Sequence, residues 1–208
     1  MINIGVLGST KGSDLPSIIG SINYGKLKGL AKISVVLSNR ENAGILKKAD
    51  SFGIDNHYLS SEGLNREEYD NKLLETLNLY NVNLITLVGY MNILTPLFVN
   101  EYKNRIMNIH PSLLPSFPGL EKQVYKQILD SGCKISGCTL HFVDKGKDTG
   151  PIILQKAITV YSNDDIEKLK ERTQWAEQKI YSEGIRLFVL NKLKIEGGKV
   201  IIENDNHS

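Results

Sequence analysis

The residues best suited to chemistry stand at 108–115, where the chain reads Asn108-Ile109-His110-Pro111-Ser112-Leu113-Leu114-Pro115. Residues 105–109 form an apolar, β-like run into this segment, and alternation along a strand puts Asn108 and His110 on one face. An amide N–H can donate to a developing oxyanion. An imidazole can do the same, or exchange a proton near neutral pH. The plainer reading is a strand-end histidine that caps a loop. It is the weaker one here, because Pro111, Pro115 and Pro118 stiffen the chain beyond His110.

Two other segments carry less on their own. Gly8-Ser9-Thr10-Lys11-Gly12-Ser13-Asp14 joins an apolar run at 3–7 to a helical stretch. Backbone N–H groups at such a turn can bind phosphate. The segment matches neither G-x-G-x-x-G nor a Walker loop, and it reads equally well as an ordinary turn capped by Ser13 or Asp14. Lys11 argues for an anion there and Asp14 against one. Asp148-Thr149-Gly150-Pro151, in isolation, is a turn.

The elements that must position these groups are legible as alternating β and α patterns. Apolar runs at 3–7, 33–37, 84–88 and 105–109 read as strands, and 138–143 and 152–160 as a later pair. Leu15, Ile18, Ile19 and Ile22 share a helical face, as do Tyr69, Leu73, Leu77 and Tyr80. Ile166, Leu169, Thr173, Ala176 and Ile180 make the inward stripe of a long helix, with Ser162 or Asn163 as its cap. Alternation of this kind predicts an α/β, doubly wound, mostly parallel sheet, with the late pair as an antiparallel edge. Ligands in such folds bind beyond the carboxyl ends of the strands. Residues 111–137, with three Pro and three Gly, read as a long functional loop.

Composition narrows the class. Hydrophobic residues at 41%, charged residues at 23% and a net charge of +2 suit a globular chain, and the scattered basic residues give no reason to expect a nucleic-acid or membrane partner. The expectation is one domain over 1–202 and a frayed polar tail over 203–208. Cys133 and Cys138 read as reduced thiols, and no His or Cys spacing suggests a metal site. Met1-Ile2-Asn3-Ile4 enters a strand without a basic region or long apolar run, so we expect a cytoplasmic protein.

Five segments in order are more specific than any one. They are Gly-Ser-Thr-Lys-Gly-Ser-Asp-Leu (8–15), Val-Gly-Tyr-Met-Asn-Ile-Leu (88–94), Asn-Ile-His-Pro-Ser-Leu-Leu-Pro-Ser-Phe-Pro-Gly (108–119), Gly-Cys-Thr-Leu-His-Phe-Val (137–143) and Asp-Thr-Gly-Pro-Ile-Ile-Leu-Gln (148–155). With these the chain resembles the folate-dependent formyltransferases, and within them the phosphoribosylglycinamide formyltransferase family, from the first strand to a helix ending near Tyr181. The resemblance implies a Rossmann-like domain with a seven-stranded sheet. It implies 10-formyltetrahydrofolate as co-substrate and direct attack by the amine of glycinamide ribonucleotide through a tetrahedral intermediate, in purine biosynthesis, without a metal. It implies Asn108, His110 and Asp148 as the catalytic set. Gly12, Ser13 and Asp14 would hold the substrate phosphate, and Gln174 and Glu177, at i and i+3 on a helix, the ribonucleotide. Tyr90, Met91, Asn92, Ile93, Leu94 and Val143 would line the folate site, with Arg66 reaching its glutamate tail. Many relatives carry an arginine in place of Asn92 and an asparagine in place of Asp14. Small molecules are the expected partners of a monomer or weak homodimer. The alternatives are an N-formyltransferase for methionyl-tRNA or an amino sugar nucleotide, usually with an added C-terminal domain, and a formyltetrahydrofolate hydrolase. A non-catalytic nucleotide-binding module would have no reason to hold Asn108, His110 and Asp148 together.

Overall fold

The computed structural model describes residues 1–203, so most of the expected tail at 203–208 lies outside the described residues. The strands are β1 (Ile2–Leu7), β2 (Ala31–Ser38), β3 (Asn56–Tyr58), β4 (Leu84–Leu87), β5 (Ile106–His110), β6 (Ile135–Phe142) and β7 (Ile152–Thr159). They form one sheet in the order β3-β2-β1-β4-β5-β6-β7. The first five pair in parallel, and β6 and β7 add antiparallel strands at one edge. The order reverses between β1 and β4, which opens a crevice at the carboxyl ends of those strands.

Helices cover both faces, which is why β1 and β4 are nearly continuous apolar runs. The helices are α1 (Leu15–Tyr24), α2 (Gly44–Ser51), α3 (Arg66–Leu79), α4 (Pro96–Glu101), α5 (Glu121–Ser131) and α6 (Ile166–Val189). On one face Ile4, Val6, Leu84 and Met107 pack with α1, α2, α5 and α6. On the other, Leu7, Ile85 and Ile106 pack with α3 and α4. Alternation within each strand sends successive side chains to these two cores. Asn65 and Glu68 form a reciprocal capping box that starts α3.

Three expectations are corrected. The 111–137 segment is not one loop, since α5 and the start of β6 lie inside it. Val124, Tyr125 and Ile128 anchor α5, and Gly132 ends it at a φ of 66°. The cap of α6 is Asp165, not Ser162 or Asn163. Asp164 accepts from the Tyr161 N–H at 2.8 Å and takes Arg172 in two hydrogen bonds, folding 161–164 into a turn that delays the helix. Finally, α6 runs to Val189 rather than ending near Tyr181, and Ser182, which keeps its backbone N–H, lets it continue. A further hairpin comes after it, β8 (Leu193–Glu196) and β9 (Lys199–Ile202). Gly197 and Gly198, at φ of 55° and 76°, make the positive-φ turn that a two-residue hairpin needs. Both cysteines are free thiols. Among the described residues no helix is long and apolar enough to cross a membrane.

Candidate active site

Asn108 and His110 stand at the carboxyl end of β5, as their sequence position predicts. Across the antiparallel ladder Asn108 faces His141 and His110 faces Thr139. The His110 Nε2 lies 2.9 Å from the Phe117 carbonyl oxygen, to which it must donate, because a carbonyl only accepts. Thr139 Oγ1 donates to the Ser112 carbonyl at 2.7 Å and accepts from the Leu114 N–H at 2.9 Å. Gln155 Nε2 reaches both Thr139 Oγ1 and the Leu114 carbonyl at 2.9 Å. This buried network, with the prolines, fixes the turn whose Phe117 carbonyl holds the His110 ring.

Asp148 lies between β6 and β7, with its backbone at a φ of 56°, which aspartate tolerates better than most residues. Its Oδ2 is 3.7 Å from His110 Nδ1 and accepts from the Gly119 N–H at 3.2 Å. At 3.7 Å the pair is a charge contact and not a direct hydrogen bond. With Nε2–H already donated, a second proton on Nδ1 would face the carboxylate. Gly150 is required at its position, since a Cβ there would run into the Phe142 carbonyl. The structure therefore brings Asn108, His110 and Asp148 together, and adds His141, whose Nε2 is 3.2 Å from Asn108 Nδ2.

The loop after β1 is tightly seated. Gly12 has a φ of 63°, and a Cβ on it would meet Ile45 at 2.5 Å. Lys48 Nζ donates to the Gly12 carbonyl at 3.1 Å. Ser13 is half-buried, and its carbonyl is 3.5 Å from Gln178 Nε2 on α6. Asp14 precedes α1 without making a side-chain cap, and its buried Oδ1 has no hydrogen-bond partner. Burial, with help from the Glu121 carboxylate and against the pull of Lys48, pushes the Asp14 carboxyl up to about 7. Glu177 is buried on the neighbouring face of α6 and is also raised, first by burial and then by Asp14 and Glu121, with Lys170 opposing. Lys170 pairs with Glu121 at 2.8 Å. The loop thus meets two acids that burial drives towards their neutral forms. Gln174 is half-buried on the same helix.

The expected folate residues divide between a cavity and the apolar cluster next to it. Arg66, Met91, Asn92 and Ile93 line a cavity of about 320 Å³, together with Tyr69 and Asp70. Tyr90, Leu94 and Val143 belong instead to the cluster that contains Tyr69. The cavity wall is tied to two other strand ends. Ser9 Oγ donates to Asn39 Oδ1 at 2.6 Å, Asn39 Nδ2 donates to Asn92 Oδ1 at 3.0 Å, and the Met91 N–H donates to Ser9 Oγ at 2.9 Å. Asp70, buried and pushed up by desolvation, accepts from the Thr95 N–H at 2.7 Å and so fixes the start of α4. Sequence reading missed Ser9, Asn39, Asp70, His141 and Gln178. Three of them left a signal: Ser9 and His141 stand inside the ordered motifs, and Gln178 stands one helical turn beyond Gln174.

Residues 2–185 match the model of the formyl transferase family. The chain belongs to that family. It is 38% identical over 195 residues to the phosphoribosylglycinamide formyltransferase of Escherichia coli (strain K12), covering 93% of this chain and 90% of that protein. It is 40% identical over 185 residues to the trifunctional purine biosynthetic protein adenosine-3 of Chironomus tentans, but spans only 13% of that protein. Glycinamide ribonucleotide transformylase 1 from Symbiobacterium toebii superposes with a TM-score of 0.93 at 42% identity, covering 98% of this chain and 95% of that one. This formyl transferase presents an amide, an imidazole and a carboxylate at the carboxyl edge of the sheet, where its fold places ligands.

Proposed function

We propose that this formyl transferase moves the formyl group of 10-formyltetrahydrofolate to the amine of glycinamide ribonucleotide. The convergence of Asn108, His110 and Asp148 supports this reading most strongly, and the relatives named above agree with it. The ribonucleotide phosphate would lie on the backbone N–H groups of Gly12 and Ser13, at the entry to α1. A protonated Asp14 is compatible with a phosphate there, whereas an ionised one would repel it. Gln174 and Glu177 would take the ribose hydroxyls. The folate would enter by the cavity at Arg66, Met91, Asn92 and Ile93, with its ring against Tyr90, Leu94 and Val143. Asn92 offers no charge to the glutamate tail, which leaves Arg66 as the cation of that wall.

In the reaction the amine nitrogen bonds to the formyl carbon, and the carbonyl π electrons move to oxygen. Asn108 donates to that oxyanion. His110 Nε2–H is held by the neutral Phe117 carbonyl, and an anionic oxygen is the stronger acceptor. Asp148, beside His110 Nδ1, balances charge on the ring and takes the proton lost by the amine, directly or through water. Collapse breaks the bond from the formyl carbon to N10, which takes up a proton. The products are tetrahydrofolate and the formylated ribonucleotide. A single domain acting on small molecules in the cytoplasm, as a monomer or weak homodimer, is sufficient for this. Purified protein supplied with 10-formyltetrahydrofolate and either glycinamide ribonucleotide or an amino sugar nucleotide tests the acceptor. Turnover is expected with the first only, and turnover with the sugar nucleotide alone would overturn the reading.

A further inference from the structure

We propose that His141 is a positioning residue that holds the Asn108 amide with its nitrogen turned towards the reacting oxygen; this rests on the role given to Asn108 above. His141 is 2% exposed on β6, directly opposite Asn108 in the ladder. Its Nδ1 lies 2.8 Å from the Phe142 carbonyl oxygen. A carbonyl cannot donate, so Nδ1 carries the hydrogen. In the neutral ring Nε2 is then bare, and the group 3.2 Å away on Asn108 must be the N–H₂ and not the oxygen. One amide hydrogen goes to His141, and the other stays free on the same nitrogen. The amide nitrogen is thus turned towards β6, on the strand face that Asn108 shares with His110. Turned over, Asn108 would set its oxygen against the bare Nε2 and offer an oxyanion no donor there.

The arrangement needs a neutral His141. Burial is the largest influence and drives its pKa down, with His110 helping and the Phe142 carbonyl, Asp148 and Asp144 opposing. An imidazolium would present Nε2–H to the Asn108 N–H₂ and force the amide to turn. His110, the neighbouring ring, is used differently: it donates through Nε2 to a loop carbonyl. The two histidines therefore have opposite tautomeric demands, and only His141 acts through another side chain.

The test combines kinetics with a measurement that does not depend on activity. Removal of one oxyanion donor costs about 10²–10³ in kcat in other enzymes. We expect His141→Leu to lower kcat by about 10-fold to 100-fold, with KM for both substrates within a few fold of wild type. His141→Gln, which keeps an acceptor, should recover most of the loss. In an Asn108→Ala background, His141→Leu should cost less than about twofold more, because nothing remains to be positioned. The same loss in both backgrounds would overturn the inference but leave the formyl-transfer reading intact. Wild-type rates in Asn108→Ala would overturn the inference together with the oxyanion role given to Asn108. Nitrogen NMR of the wild-type protein should show His141 as the neutral ring with its hydrogen on Nδ1. A ring with its hydrogen on Nε2 would overturn the inference whether or not either variant folds.

Discussion

Asp14→Asn makes a prediction with a defined sign. The Asp14 carboxyl is raised from 3.8 to about 7, with burial as the largest cause. Below pH 3.8 it is neutral in both folded and unfolded chains and costs nothing. Between 3.8 and about 7 the unfolded chain ionises while the folded one keeps its proton, so stability falls as pH rises. Above about 7 the folded state must hold a buried anion. The shift spans about three pH units at about 1.36 kcal/mol each, which sets a ceiling of roughly 4 kcal/mol. The amide of the variant cannot ionise, and it relieves the repulsion felt by Glu177. For a chain of this length about 4 kcal/mol corresponds to a Tm shift on the order of 10 °C. Thermal unfolding of both proteins from about pH 4 to about pH 9 should give curves that meet at the acid end and diverge as pH rises towards the folded-state value of about 7, with the variant the more stable. Parallel curves, or a variant less stable than wild type on the alkaline side, would refute the reasoning. In the same series, wild-type KM for glycinamide ribonucleotide should rise as pH passes about 7, while that of the variant stays flatter, because an ionised Asp14 repels the phosphate.

Other perturbations rest on contacts already described. His110→Ala and Asp148→Asn should each reduce kcat by about 10²–10⁴ in steady-state assays while circular dichroism shows the fold retained; wild-type rates would remove them from the mechanism. Gly150→Ala drives a methyl into the Phe142 carbonyl, the same oxygen that fixes His141. Urea unfolding should show a loss of about 1–3 kcal/mol, and an unchanged midpoint would mean that the turn relaxes freely. Thr139→Val removes the hydroxyl shared by Ser112, Leu114 and Gln155. It should cost about 1–3 kcal/mol by the same measurement, together with a lower kcat as the Phe117 carbonyl loses its anchor.

The fold was largely legible because its strands are covered on both sides. Residues 3–7 and 84–88 are nearly continuous apolar runs, and the helices between them showed a 3.6-residue period. What escaped was local chemistry that competes with pattern. The Pro and Gly density of 111–137 hid α5, whose buried face is only Val124, Tyr125 and Ile128. Polar turn formers at 162–165 offered several caps, and the choice fell to an Arg172 side chain eight residues beyond Asp164. At the site, Asn108 and His110 were visible because they share one strand. Asp148 was a turn residue until the ordered motifs were considered together. His141 was hidden among the apolar residues of β6, and its role depends on a cross-strand register that no single segment reveals. The Ser9–Asn39–Asn92 chain joins three separate strand ends and has no local signature.

The central claim is that these residues pass a formyl group between two bound molecules. Mass spectrometry of a reaction containing purified protein, 10-formyltetrahydrofolate and glycinamide ribonucleotide tests it most directly. The account predicts formylated ribonucleotide and tetrahydrofolate in a one-to-one ratio, and both products forming at least about 100-fold more slowly with Asp148→Asn. Release of free formate without formylated ribonucleotide would contradict it, and would make the protein a hydrolase of the folate.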